Sequence, residues 1–269
     1  MADHELSPLS MYLTKLERRG GLSVAGRSAL QALPSRIRRF GGHQDIARER
    51  ERPAHCCLVG SGLVSSYKDL PAGGRQIVSF HIAGDMVDLQ SLLVMVADYN
   101  IHAHTPTTVA MIAHDDMLRV ATQHPDVARA LWFDTLIDAA IFREWTTNIG
   151  RRDARQRIAH LLLELAVRFK AARLAVDDTF ELPLTQIDLA DATGMTPVHV
   201  NRTLQRLRSE CLIRTRGRSI TIENWPALRA LAGFDTIYLH PEGPRIPSDA
   251  FQHLSGPARD RRIMPPLNG

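Results

Sequence analysis

The sequence predicts an α+β fold made of a β-rich N-terminal part, one long helix and a C-terminal helix–turn–helix followed by a β-hairpin. Three observations carry that prediction. Between Ile37 and Ile112, short β-rich runs recur between glycines and prolines. From Asp126 to Ile149 no Gly or Pro interrupts the chain. From Leu184 to Ile213, two capped helical patterns flank Gly194.

The elements follow in order. Residues 1–22 read as an exposed lead-in carrying one short helix at Pro8–Arg19, and a further short helix is stopped by Pro34. Strand-like runs occupy Cys56–Val59, Leu63–Tyr67, Gln76–His81 and Thr107–Ile112. Many short strands with regular turns suggest a barrel or sandwich, and Ala72-Gly73-Gly74-Arg75 between two of them reads as a hairpin turn. Pro125 then suits a first helical position. The apolar residues of the long helix lie on several faces, as expected of a helix buried on several sides. It is therefore expected to be sandwiched between its own β-domain and a second copy of the chain, with Val127, Leu131, Phe133, Ile137, Ile141 and Trp145 assigned to the dimer interface. Gly150-Arg151-Arg152-Asp153 is expected to form a hinge and N-cap. The helix Ala154–Ala172 follows, with Ile158, Leu161, Leu162, Leu165 and Phe169 on one side.

In the segment LTQIDLADATGMTPVHVNRTLQRLRSECLI, Thr185 caps the first helix, with Asp188 three residues on. Gly194 supplies the turn. Thr196 caps the second helix, and Pro197 sits in its first turn. At ~100° per residue, Val200, Thr203, Leu204 and Leu207 fall on a core face. Val198, Asn201, Arg202 and Gln205 fall opposite, and these types suit base edges: Arg bonds guanine, Asn or Gln bonds adenine, and Val meets the thymine methyl. His199 and Arg206 flank that face and suit phosphates. Ile213–Thr215 and Ser219–Ile222 flank Arg216-Gly217-Arg218, a hairpin with a basic tip. Phosphate contact is assigned to Thr185, Thr196, His199, Arg206, Arg214, Arg216 and Arg218. An amphipathic helix alone would explain the core face. It does not explain the cap, Pro, Gly turn and Arg/Asn/Gln face together.

Charge agrees with this reading. The chain of 269 residues carries +4, yet Thr196–Arg218 holds six arginines and one acid, leaving the remainder at about −1. Local arginine density of this kind is an electrostatic footprint for phosphate. A length of 269 residues implies about two domains at ~150 residues each. No apolar run approaches the ~20 residues of a membrane span. Met1–Ser10 lacks a signal-peptide pattern, so a cytoplasmic chain is expected. Three cysteines are too few for a disulfide framework.

The β-rich part, long helix, Gly-Arg-Arg hinge and winged helix–turn–helix ending in Ile-x-Thr-Arg-Gly-Arg resemble the Crp-Fnr superfamily of bacterial transcription regulators. The resemblance covers roughly residues 25–235 and is strongest at His124–Pro125, Arg151–Leu165 and Leu184–Ile222. It implies a cyclic-nucleotide-binding-type β-roll (jelly-roll) sensor at 23–123, a dimerisation helix at 124–150 and a winged helix–turn–helix at 151–240. A flexible Pro-rich tail at 241–269 completes the chain. The resemblance further implies a homodimer on double-stranded palindromic DNA and contact with RNA polymerase.

The sensor departs from its relatives. Gly84-Asp85-Met86-Val87 is followed by Asp88-Leu89-Gln90, where cyclic-nucleotide binders of the family carry Gly-Glu-Leu, and the Arg-Ser region falls at Ala97-Asp98. Two acids beside a phosphodiester repel it, which argues against cyclic AMP. The Cys-x-His of the haem branch and the N-terminal cysteine cluster of the iron–sulfur branch are also missing. Asp88, Leu89, Met95 and Tyr99 are the candidate effector pocket, for an effector the sequence does not name. No cofactor or metal is expected: of His81, His102, His104 and His114, only His102 and His104 must share a strand face. Cys56-Cys57 could sense oxidant, but alternation puts one of them inward as a small hydrophobe, the plainer reading. An enzyme is not expected, since no phosphate loop, nucleophile motif or metal-spaced cluster occurs. The remaining alternative is a ligand-binding regulatory protein that uses its winged helix on a protein partner.

Overall fold

The computed structural model describes residues 7–241 and Gly243, so the tail expected at 241–269 lies almost wholly outside the described residues. The chain opens with α1 (Pro8–Gly20) and α2 (Val24–Gln31). Seven strands follow: β1 (Arg36–Phe40), β2 (Gln44–Ala47), β3 (His55–Ser61), β4 (Val64–Asp69), β5 (Arg75–His81), β6 (Asn100–Ala103) and β7 (Thr107–Ala113). A 3-10 turn at Leu89–Leu92 lies between β5 and β6. These strands form two antiparallel sheets, ordered β1-β7-β3 and β2-β6-β4-β5. Phe40, Cys57, Val59, Val64, Val87, Ile101, Ala103 and Val109 fill the space between them. The expected runs are β3, β4, β5 and β7. The additional strands β1, β2 and β6 are short, and β1 reads Arg-Ile-Arg-Arg-Phe, exposed along most of its length. Such charge is characteristic of an edge strand.

Strand alternation places Cys57 in the sheet interior and Cys56 on the opposite side, among Tyr12, Leu13 and Leu16. Both thiols are buried, Cys56 because α1 covers the outer face of β3. Burial pushes both thiols well above the usual range. The lead-in is therefore not exposed along α1. Ser7 caps that helix by accepting from Ser10 N, and Leu9, Tyr12, Leu13 and Leu16 recur at helical spacing and are all buried.

α3 (His114–Gln123) leads into α4 (Pro125–Arg151), which runs through Gly150 rather than ending before it. The break expected at Gly150 lies at Arg152-Asp153, both in extended backbone. Asp153 then forms a capping box with Gln156 at the start of α5 (Ala154–Ala171). Four of the five predicted core residues of α5, together with Ile137, Ile141 and Trp145 of α4, have under a twentieth or so of their surface exposed, and Phe169 is 7% exposed.

The assignment of α4 side chains to a dimer interface is corrected here. Val127 and Leu131 are buried against α1, α2 and α3, and Ile137, Ile141 and Trp145 against α5 and the second sheet. Phe133 is half-buried in that second cluster. All six belong to this chain's own core. The hydrophobic residues that α4 leaves exposed are Trp132 at 61%, Leu136 at 48% and Phe142 at 39%.

The C-terminal part contains β8 (Ala175–Val176), β9 (Thr179–Glu181), α6 (Gln186–Thr193), α7 (Pro197–Ser209), β10 (Ile213–Arg216), β11 (Ser219–Ile222) and α8 (Trp225–Ala232). Its sheet is ordered β10-β11-β9-β8. Among the described residues, no helix is long and apolar enough to cross a membrane.

Candidate nucleic-acid interface

The local chemistry of the helix–turn–helix explains its shape. Thr185 and Asp188 form a reciprocal capping box at α6. Gly194 ends that helix at φ 64°, the left-handed region that favours glycine. Thr196 Oγ1 accepts from His199 N at 3.3 Å to start α7. On α7, Val200, Thr203 and Leu207 are buried and Leu204 is half-buried. They pack the helix onto α5 and α6. The opposite side presents Val198 (62% exposed), Arg202 and Gln205 to solvent, with Asn201 half-buried at its edge and His199 and Arg206 beside it. The structure thus brings the base-reading set together on one open face.

The phosphate set divides into two groups. Arg206 Nε lies 3.0 Å from Glu210 Oε1, and Arg155 holds the same carboxylate. Arg214 Nε lies 3.1 Å from Glu223. Thr185 Oγ1 donates to Asp188 Oδ2 at 2.6 Å, so its hydroxyl is already engaged. By contrast, Arg202, Arg216 and Arg218 make no ion pair among the described residues. Arg216 and Arg218 flank Gly217 (φ 61°) at the tip of the β10–β11 hairpin. Arg208, which the sequence reading left unassigned, donates to Thr215 Oγ1 at 2.9 Å and ties α7 to β10. Its place in the last turn of α7 also suits the helix dipole. Among the described residues, Arg202, Arg216 and Arg218 are therefore the guanidinium groups of the expected DNA-contacting set without an ion pair.

A cavity in the β-rich part, beside the 3-10 turn, is small. Asp88 and Tyr99 line it with Glu51, Gln90, Ser91 and Val94, and it encloses about 30 Å³. That is room for a very few waters, against the ~300 Å³ at which small-molecule pockets begin. Two members of the expected effector pocket are corrected: Leu89 is buried in the core under α1, and Met95 points to solvent at 73% exposure. Tyr99 donates to Val87 O at 3.0 Å, and Gln90 holds the same hydroxyl. Asp88 Oδ1 accepts from Cys57 N at 2.7 Å, and burial pushes its carboxyl up to about 6.

The four sensor histidines each have their own partner. His81 Nε2 lies 3.0 Å from Ser66 and 2.8 Å from Ser79, His102 Nδ1 2.8 Å from Asp45, His104 Nε2 2.8 Å from Ser65 and His114 Nε2 2.9 Å from Ser91. Among the described residues, no group of three His, Cys, Asp or Glu could hold a metal ion.

A set of charges missed by the sequence reading joins sensor to reading head. Lys15 of α1 lies 3.0 Å from Asp85 and 3.2 Å from Asp134 of α4, while Arg168 of α5 lies 3.0 Å from the same Asp85 and donates to Phe80 O at 2.7 Å. Burial alone would raise the Asp85 carboxyl, but Lys15 and Arg168 hold it well below the usual carboxylate range. Arg75, at the start of β5, reaches Asp188 and Asp191 on α6. The pairs are remote in sequence, so no local spacing reveals them.

A β-roll, a long helix and a winged helix–turn–helix with an open Arg/Gln face define a transcription regulator of the Crp-Fnr superfamily, to which this chain belongs. Residues 156–231 match the family model of the Crp-like helix-turn-helix domain, and residues 37–124 that of the cyclic nucleotide-binding domain. The chain is similar to the nitrogen fixation regulation protein FixK of Rhizobium meliloti, 29% identical over 199 residues, spanning 74% of this chain and 88% of that one. It is similar to the transcriptional activator protein FnrL of Cereibacter sphaeroides, 28% identical over 203 residues, 74% of this chain and 81% of that one. Among solved structures it resembles FixK2 from Bradyrhizobium japonicum, with a TM-score of 0.69 and 29% identity, covering 76% of this chain and 100% of that one. The chain is a DNA-binding transcription regulator.

Proposed function

We propose that this regulator binds an inverted-repeat operator as a homodimer, inserting α7 of each copy into successive major grooves. The observation that carries this reading is the exposed face of Arg202, Gln205 and Val198, which has no partner within the described chain and carries the side chains that read base edges. Arg202 is the main base reader, and Arg216 and Arg218 hold the backbone beside the groove. The second copy seats on α4. Trp132, Leu136, Ala139, Arg143 and Thr146 recur at alternating steps of four and three along its uncovered side, the spacing at which one helix meets another. The relatives named as a transcriptional activator and a nitrogen fixation regulator support contact with RNA polymerase and action in the cytoplasm, where the operator lies. The small sensor cavity and its acids support control by something other than cyclic AMP.

The experiment is a comparison of wild type and Arg202→Ala on duplexes bearing every single-base change in one half-site. The expected loss on the best site is ~1–3 kcal/mol, with preference relaxed at one base pair. Equal losses on the best site and on random DNA would contradict the base-reading role.

A further inference from the structure

We propose that the β4–β5 hairpin of the sensor positions the helix–turn–helix, through Arg75, at the spacing its operator requires. The proposal rests on the dimeric DNA-reading function above. Arg75 stands at the exit of the hairpin turn, opposite Asp69 in the strand register. Gly73 and Gly74, at φ 88° and 83°, close that turn. The Arg75 guanidinium crosses from the sensor to α6. Its Nη2 lies 2.6 Å from Asp188 Oδ1 and its Nε 2.6 Å from Asp191 Oδ2. The two carboxylates are three residues apart and so share a helix face. The Tyr67 ring of β4 lies 5.6 Å from the guanidinium and backs it. The three charged side chains are only 24%, 6% and 21% exposed.

Asp188 gives this contact its reach. The same carboxylate accepts from Thr185 N at 2.8 Å and so starts α6. His104, in the loop between β6 and β7, approaches it to 3.5 Å. The sensor therefore grips the residue that sets the first turn of the helix–turn–helix. From there α6 is joined to α7 by the tight turn at Gly194 and by direct packing. A fork-shaped guanidinium on two partly buried carboxylates is directional, unlike an exposed ion pair.

The connection between the two parts gives such a grip a task beside the apolar packing and the Arg168–Asp85 pair that also join them. α4 and α5 meet at Arg152-Asp153, a two-residue extended break. A break of this kind leaves the orientation of α7 relative to α4 to side contacts. In a dimer built on α4, that orientation sets the distance between the two α7 helices. Arg75 touches no DNA in this account; it is a positioning residue that acts through α6.

Two measurements on the full-length chain test this. The first needs no DNA. Spin labels at Ile37 and Val198, both exposed, are placed in a Cys211→Ser chain diluted with unlabelled protein. One narrow distance distribution is expected with Arg75 present and a broad one with Arg75→Ala. An unchanged narrow distribution overturns the proposal, whatever the DNA result. The second measures affinity for paired half-sites whose separation is stepped by single base pairs. The intact protein is expected to prefer one separation. Arg75→Ala is expected to flatten that preference by about tenfold through lost effective concentration, with affinity for an isolated half-site unchanged to within about twofold. Retention of the full spacing preference by Arg75→Ala also overturns the proposal. Should Arg75→Ala fail to fold, Asp191→Asn, which leaves the α6 cap intact, must weaken the preference in the same direction, and an Asp191→Asn protein indistinguishable from wild type overturns it. If even the intact protein shows no half-site preference, the DNA reading falls, while the distance distribution still decides the grip.

Discussion

Asp88 stands where the family's nucleotide binders place a glycine, and its surroundings show why the substitution matters. Its carboxyl is buried, and burial outweighs the hydrogen bonds it receives from the Cys57 amide and thiol, so the charged form is disfavoured and the group is pushed up to about 6 from 3.8. A group whose folded pKa is raised in this way costs stability as its charge appears. The penalty is absent below about pH 4, grows between pH 4 and 6, and is complete above. Asp88→Asn retains an acceptor for Cys57 and removes the charge. It is expected to be more stable than wild type at pH 8, by up to about 3 kcal/mol from the shift itself, with the difference vanishing below pH 4. Thermal unfolding of both proteins across that range checks this, and a pH-independent difference would contradict it. Asp85 and Asp188 behave oppositely: burial opposes ionisation, but Lys15 and Arg168 in one case, and His104 and Thr185 in the other, hold them well below the usual range. Their contribution is present at neutral pH and lost in strong acid. Of the four residues expected to line a pocket, Asp88 and Tyr99 line the small cavity and Leu89 and Met95 do not. Leu89 turns into the core at the start of the 3-10 turn Leu89–Leu92, and Met95 stands in irregular backbone beyond it, where no periodicity fixes a side chain's direction.

At the scale of elements, the helix–turn–helix was the most legible part of the chain because its signals are local. Thr185, Asp188, Gly194, Thr196 and Pro197 each act within a few residues, and every one occupies its expected position at a cap or turn. α4 was less legible for a physical reason. Hydrophobic periodicity marks which residues leave water, without telling a chain's own core from a second copy. Val127, Ile137 and Trp145 are covered intramolecularly by α1 and α5, elements whose packing partners lie far away in sequence. Subtracting that core leaves the side bearing Trp132, Leu136 and Phe142. Trp132→Glu therefore changes no core contact and should leave folding intact. Sedimentation is expected to show loss of the dimer, with affinity for a paired site falling by about 10²-fold or more as two-site engagement is lost. A Trp132→Glu protein that remains dimeric would place the second copy on another face. The N-terminal helix repeats the lesson. Leu9, Tyr12, Leu13 and Leu16 carry a regular helical stripe, but the face that receives it is the outside of β3.

At the scale of the whole molecule, sensor and reading head are tied by charge at two places. Lys15, Asp85, Asp134 and Arg168 join α1, the β-roll, α4 and α5, and Arg75 joins the β4–β5 hairpin to α6. Arg18 adds a third tie by donating to Ala171 O at 2.5 Å, at the far end of α5. A reading head fastened in this way presents α7 in one orientation, and in the dimer we propose along α4 two such helices would stand at one separation. Selection of bound sites from a random duplex library, by the purified chain with no added ligand at near-physiological salt, reads out that separation directly. An inverted repeat is expected, its half-site centres about one helical turn, ~34–36 Å, apart. Recovery of nothing above non-specific binding, with the dimer intact, would contradict it.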